Sequence, residues 1–107
     1  MKEYRNTYNV EYCQELENAI TLYEKTIGHF ASRTRNLIQN LGNIGALEKL
    51  MESHDLQRGF KILRDNDLLD KTFEATMIKF QNEISFKENA IKVAKFRYDN
   101  PRWDEGI

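Results

Sequence analysis

Apolar residues recur at alternating steps of three and four between positions 13 and 41: Cys13, Leu16, Ile20, Tyr23, Ile27, Phe30, Thr34, Leu37 and Leu41. Eight of the nine are apolar, and Thr34 still carries a methyl group. This is the a/d spacing that packs one helix against another, sustained over about four heptads. It predicts a single long helix over residues 10–41, with Asn9 as its N-cap and Glu11 in the first turn, where the helix dipole favours an anion. At about 1.5 Å per residue that helix reaches roughly 44 Å. A compact chain of this size has a radius of gyration of only about 13 Å. The seam is therefore expected to outrun its own chain and to be covered by a second copy. Gly28 falls inside the predicted helix and is expected to be tolerated there, at about 1 kcal/mol relative to alanine. Ala19, Leu22, Ala31 and Ile38 flank the seam. They widen the stripe enough for its second half to pack on the C-terminal part of the same chain as well.

Beyond position 41 the pattern shortens. Gly42 is placed where a helix end needs left-handed backbone, and residues 43–45 read as a tight turn. A short helix over 46–52 buries Leu47, Leu50 and Met51. Ser53 is a candidate N-cap for a helix over 55–64 with Leu56, Phe60 and Leu63 inside. The Asp65-Asn66-Asp67 run breaks it. Asp70 is expected to cap a helix over 71–81 that turns Phe73, Met77, Ile78 and Phe80 inward. Ser85 and Glu88 have the spacing of a capping box, and the helix behind them buries Phe86, Ala90, Ala94 and Tyr98 until Asn100-Pro101 stops it. No segment alternates with period two. The expected fold is all-α: a flexible arm (1–9), a long seam helix (10–41), a compact module of about four short helices (42–100) and a tail (101–107), all in one domain.

Composition adds limits. Sixteen basic and seventeen acidic residues leave a net charge of -1, so no global field recruits nucleic acid or membrane. One cysteine, Cys13, makes no internal disulfide, which fits a reducing compartment. No apolar run approaches the roughly 18 residues that span a bilayer, and the N-terminus lacks an apolar leader. The chain is expected to be cytoplasmic.

Candidate chemistry is sparse. His29 and His54 lie far apart and lack the paired Cys, His and acidic neighbours of a zinc site. The run 65–70 starts like a calcium loop, but Leu69 and Asp70 stand where that loop needs an oxygen ligand and a glycine. Neither a Gly-x-Ser-x-Gly motif nor a glycine-rich phosphate loop is present. No catalytic residue, metal or cofactor is expected. Two surfaces remain. Leu16, Ile20, Tyr23, Ile27, Phe30, Leu37 and Leu41 form a seam for a dimer or a partner. Arg33, Arg35, Arg58, Lys61 and Arg64 form local basic clusters that suit phosphate contact, with Lys92, Lys95 and Arg97 as a further group on the last helix.

Residues 33–100 carry a pattern of Thr34-Arg35, Gly45-Ala46 with Leu50, Gly59-Phe60 with Leu63, then Leu69-Asp70-Lys71-Thr72-Phe73-Glu74, closing on Phe80, Ile84-Ser85, Ala94 and Arg97-Tyr98. This resembles a small all-helical module of uncharacterised bacterial proteins, over about two-thirds of the chain. The resemblance implies a bacterial or mobile-element origin and transfers no catalytic residue. Within it, Asp70 and Glu74 are one helical turn apart, and Gly59 is placed to let two helices approach. The expected function is a non-enzymatic, homodimeric interaction protein that acts by occupying a partner protein. The alternative is a small nucleic-acid-binding module.

Overall fold

The heptad seam does not run through as one helix. The computed structural model describes residues 4–52, 54–103 and 105, with backbone alone for 54–57. In it α1 spans Val10–Ile27 and α2 spans Ser32–Met51. The start of α1 is as expected: the Asn9 side-chain oxygen accepts from the Tyr12 N–H at 3.0 Å. Its end is set by Gly28, which adopts φ 79° and returns its N–H to the Glu24 carbonyl at 2.8 Å. Left-handed backbone costs glycine little. The Glu24 carboxylate then reaches around the corner to accept the Ala31 N–H at 2.8 Å. A glycine expected to be carried through the helix is thus the hinge that folds the seam back on itself.

The second glycine behaves differently again. Gly42 has φ 81° and ψ 168°, but α2 resumes immediately, so the residue is a kink and not an end. The N-terminal segment, expected to be loose, fills that kink. The Arg5 N–H donates to the Leu41 carbonyl at 2.9 Å, and the Arg5 carbonyl accepts from the N–H groups of Ile44 and Gly45 at 3.0 Å each. Asn43 answers Thr7 in both directions, its side-chain oxygen accepting the Thr7 N–H and its amide donating to the Thr7 carbonyl, each at 2.9 Å. The Arg5 guanidinium also pairs with Glu48 and donates to the Ser85 carbonyl. The kink opens backbone groups of α2, and residues 5–7 satisfy them.

The remaining elements are α3 (His54–Asp65), a 3-10 turn (Leu69–Lys71), α4 (Phe73–Lys79) and α5 (Glu88–Asp99). The expected core residue Leu56 and the expected cap Ser53 lie outside the described residues. Thr72, not Asp70, caps α4: its hydroxyl accepts the Ala75 N–H at 3.1 Å. The Ser85–Glu88 capping box does not form. Lys87 is the N-cap of α5 without a side-chain bond, and its own N–H donates to Glu48 at 2.6 Å, while Glu88 pairs with Lys92 at 3.4 Å. Glu48 thus gathers the arm and the start of α5 onto α2. Among the described residues there is no strand.

One core holds these helices. Tyr12, Leu16, Ala19 and Ile20 of α1 meet Leu47, Leu50 and Met51 of α2, Phe73 and Met77 of α4, and Ala90 and Ala94 of α5. The Tyr12 ring lies edge-on to Phe80 at 5.5 Å and Phe86 at 5.8 Å, and its hydroxyl donates to the Asn43 carbonyl at 2.7 Å. Burial raises the Tyr12 pKa, so this phenol stays a donor. Each large apolar side chain so enclosed contributes about 1.5–3 kcal/mol. Gly59 makes the expected close approach: a Cβ there would lie 3.0 Å from the Tyr23 ring. The folded-back chain has a radius of gyration of 13.0 Å and a longest extent of 39 Å. That is shorter than the uninterrupted seam helix alone would be.

Candidate functional site

The fold-back at Gly28 divides the predicted seam into three parts with different surroundings. Leu16 and Ile20 are buried in the chain's own core. Leu37 and Leu41 line a groove of about 370 Å³ between α2 and α5, facing Ala90 and Val93. Tyr23, Ile27 and Phe30 line an open cleft of about 740 Å³ where the α1–α2 corner meets α3 and the start of α4. Its floor is Leu50, Ile62 and Phe73, and its mouth carries His29, Ser32, Arg33 and Arg58. Phe30 stands at the rim with 70 % of its surface exposed, the most exposed of the seam residues. The larger cleft is the best candidate for a working surface. It is roomy, partly apolar and edged by a few polar groups, as binding sites usually are.

Local chemistry explains why the corner has this shape. Arg35, one turn into α2, donates to Glu24 from Nε and Nη2, both at 2.8 Å, and to Glu17 at 3.2 Å and 3.3 Å. It also lies over the Phe30 ring at 5.3 Å. These bonds, first of all those from Arg35, pull the Glu24 pKa down to about 2. So the Glu24 carboxylate is charged at neutral pH while it holds the Ala31 N–H. The corner is fastened by Glu24 and Arg35, with Glu17 as a second acid on the same guanidinium.

The basic candidates separate in the same way. Arg33 and Arg58 line the cleft. Arg35 is the structural clamp just described. Lys61 is half-buried on α3. Arg64 is buried, bound to Asp65 at 2.9 Å and to the Pro101 carbonyl at 2.8 Å. Of the last group, Lys92 and Lys95 are exposed but Arg97 is 5 % exposed. The structure therefore brings two of the five candidate phosphate-contacting residues together with three of the seven seam residues. Cys13 is elsewhere, with its sulfur 3.4 Å from the Asn43 side-chain amide.

Sequence reading missed one feature behind the cleft floor. Glu74, next to Phe73, is 1 % exposed and accepts from Arg97 at 3.1 Å. Arg97 also donates to the Met51 carbonyl at 3.1 Å, next to Leu50. The second Glu74 oxygen has no partner. Burial pushes the Glu74 carboxyl up to about 7, against the opposing pull of its backbone bond and of Arg97. The signal was present: Ala90, Ala94 and Arg97 share a helical face at steps of four and three. Asp70, its expected companion, is exposed and accepts from the Tyr98 hydroxyl, which raises the Tyr98 pKa.

No family model, curated protein or solved structure matches this chain. Among the described residues there is no cluster of potential metal ligands, and no helix is long and apolar enough to cross a membrane.

Proposed function

We propose that this chain is a non-enzymatic helical interaction protein that works by seating a segment of a partner protein in the cleft between the α1–α2 corner and α3. The observation that carries this reading is Phe30. It is a large aromatic side chain left 70 % exposed beside an open cavity with an apolar floor. Exposed aromatics at a concave, partly apolar patch are the usual anchors of protein–protein contact. The non-catalytic part of the reading rests on the sequence, which carries no nucleophile–base spacing and no phosphate loop.

A homodimer belongs to the same proposal in altered form. Leu16 and Ile20 are turned into the chain's own core, so a second copy would use the cleft or the α2–α5 groove and not a continuous coil. The alternative, nucleic-acid binding, draws support from Arg33 and Arg58 facing one cleft. It loses support from Arg35 and Arg64, whose guanidiniums are bound to carboxylates.

The test is comparative capture. Tagged parent chain and Phe30→Asp are incubated with bacterial lysate, the source that the resemblance of the 59–74 pattern suggests, with nuclease and moderate salt. The expected outcome is a set of proteins held by the parent and lost from Phe30→Asp, with unchanged helicity of the variant. Identical captures from both chains would remove the cleft from consideration. Sedimentation of the parent alone reads self-association.

A further inference from the structure

The corner between α1 and α2 is short, and the heptad spacing passes through it unbroken. Ile27, Phe30 and Thr34 continue the steps of four and three that join Tyr23 to Leu37. A tight corner does not require that continuity, whereas a straight helix does. Only residues 28–31 separate the two helices, and the backbone on either side of the bend is already bonded as a helix. Gly28 returns its N–H to the Glu24 carbonyl and Arg35 to the Ala31 carbonyl, the partners each would have in one uninterrupted helix. What bends the chain is the left-handed φ of 79° at Gly28, with the Glu24 carboxylate on the Ala31 N–H. In a straight helix that N–H would take the Ile27 carbonyl instead. Phe30, left 70 % exposed by the bend, would then stand between Ile27 and Thr34 on the seam.

We propose that the α1–α2 corner opens into one helix and exchanges α1, with the arm in front of it, between two copies of the chain. The contacts that hold α1 in place lie beyond the corner, so each can be remade on the second copy. Tyr12 would meet the same Phe80 and Phe86 rings, and Glu15 the same Lys79 ammonium. The Arg5 and Thr7 bonds to the Gly42 kink travel with them. The exchange needs no new apolar patch, because it uses surface that each chain already buries. Closed and exchanged forms differ chiefly at residues 28–31, and concentration decides between them. A closed copy can dock only on the cleft or the α2–α5 groove; an opened copy has this further route. It restores the uninterrupted seam helix, now with Leu16 and Ile20 in the core of the other copy. The inference does not depend on the cleft being a binding surface. It does set the availability of that surface. The corner forms one wall of the cleft, so the cleft belongs to the closed monomer and is lost on exchange.

The experiment is zero-length carbodiimide coupling of the full chain, refolded at high concentration as a mixture of light and heavy isotopic forms. Glu15 and Lys79 are bonded at 2.7 Å and both are accessible, so the reagent joins them. In a closed chain that link is internal. In an exchanged pair it joins light to heavy chain and survives denaturation as a dimer. A Cβ at Gly28 meets nothing within 4 Å, so the site has room for either of two variants. Gly28→Ala penalises the left-handed corner and favours the straight helix, and should raise the association constant by about a hundredfold or more. Gly28→Asn tolerates left-handed backbone and is a poorer helix former, so it should raise association much less. Exchanged dimer is expected in Gly28→Ala at concentrations where the parent sediments as a monomer. A Gly28→Ala chain that stays monomeric at every concentration would overturn the exchange. So would a dimer whose Glu15–Lys79 links never join light to heavy, because closed copies would then be docked side by side. Equal association of the two variants would mean that the corner is not the hinge.

Discussion

Two carboxylates with opposite surroundings set how this molecule responds to pH. Glu74 is enclosed, and its pKa rises from 4.5 to about 7. The folded chain therefore keeps a proton that the unfolded chain has already released, and stability falls as pH rises from about 4.5 to 7. Through a shift of this size the loss is roughly 3 kcal/mol. Glu24 does the reverse. Its pKa drops to about 2, so its stabilising contribution is complete above about 4.5 and fades as pH falls toward 2. The summed contribution of these two groups is greatest near the unperturbed carboxylate pKa. Urea unfolding at pH 5 and pH 8 checks this: the parent should be less stable at pH 8, and Glu74→Gln should flatten that difference. If Glu74→Gln kept the parent's full pH dependence, another group would be responsible. Arg97→Met, in contrast, should destabilise at both pH values, because it leaves the Glu74 carboxyl and the Met51 carbonyl without their donor.

At the level of elements the two glycines with positive φ, Gly28 and Gly42, separate sharply. A Cβ at Gly28 meets nothing within 4 Å, so Gly28→Ala should cost only the left-handed backbone penalty of about 1 kcal/mol. A Cβ at Gly42 would lie 2.2 Å from the Arg5 carbonyl oxygen, and its φ and ψ of 81° and 168° are reached by glycine almost alone. Gly42→Ala should therefore cost roughly 2 kcal/mol or more and release residues 5–7, seen as faster amide exchange at Ile44 and Gly45. Equal costs at the two sites would mean that the arm does not hold the kink. The same glycines explain what the sequence could convey. Helical periodicity was legible because burial repeats it at every turn: Leu47, Leu50, Met51, Phe60, Leu63, Phe73 and Met77 all lie inside as expected. The breaks were not legible, because a glycine in a helical pattern reads the same whether it is carried through, bent or capped. The choice is made by groups outside the glycines themselves, the Glu24 carboxylate one turn before Gly28 and the Arg5 carbonyl, remote in sequence, at Gly42. The cleft inherits that ambiguity. Phe30 and Arg58 carried visible chemistry, but only the fold-back at Gly28 makes them neighbours.

On the scale of the whole molecule, both described ends of the chain act as fasteners. Trp103 packs on Phe60 at 5.4 Å and Phe96 at 6.5 Å and faces the Arg97 guanidinium at 5.9 Å, while Arg64 holds the Pro101 carbonyl. It is the only tryptophan, so its fluorescence reports this end alone. Trp103→Ala should cost about 1 kcal/mol and make the segment after Asn100 the first site of limited proteolysis, whereas no change in cleavage would mean that Arg64 alone retains it. The opposite fastener has a consequence for synthesis. Residues 5–7 leave the ribosome early, but their partners are Leu41, Asn43, Ile44, Gly45 and Glu48, and for Arg5 also the Ser85 carbonyl. At about 5–20 residues per second, the last of these is translated several seconds after the first. During that interval residues 5–7 already have their backbone partners on α2, while the Arg5 guanidinium has Glu48 and still lacks the Ser85 carbonyl. A nascent chain stalled between those points should already protect the Ile44 and Gly45 amides from exchange, and release of the remaining residues should tie the arm to the segment before α5.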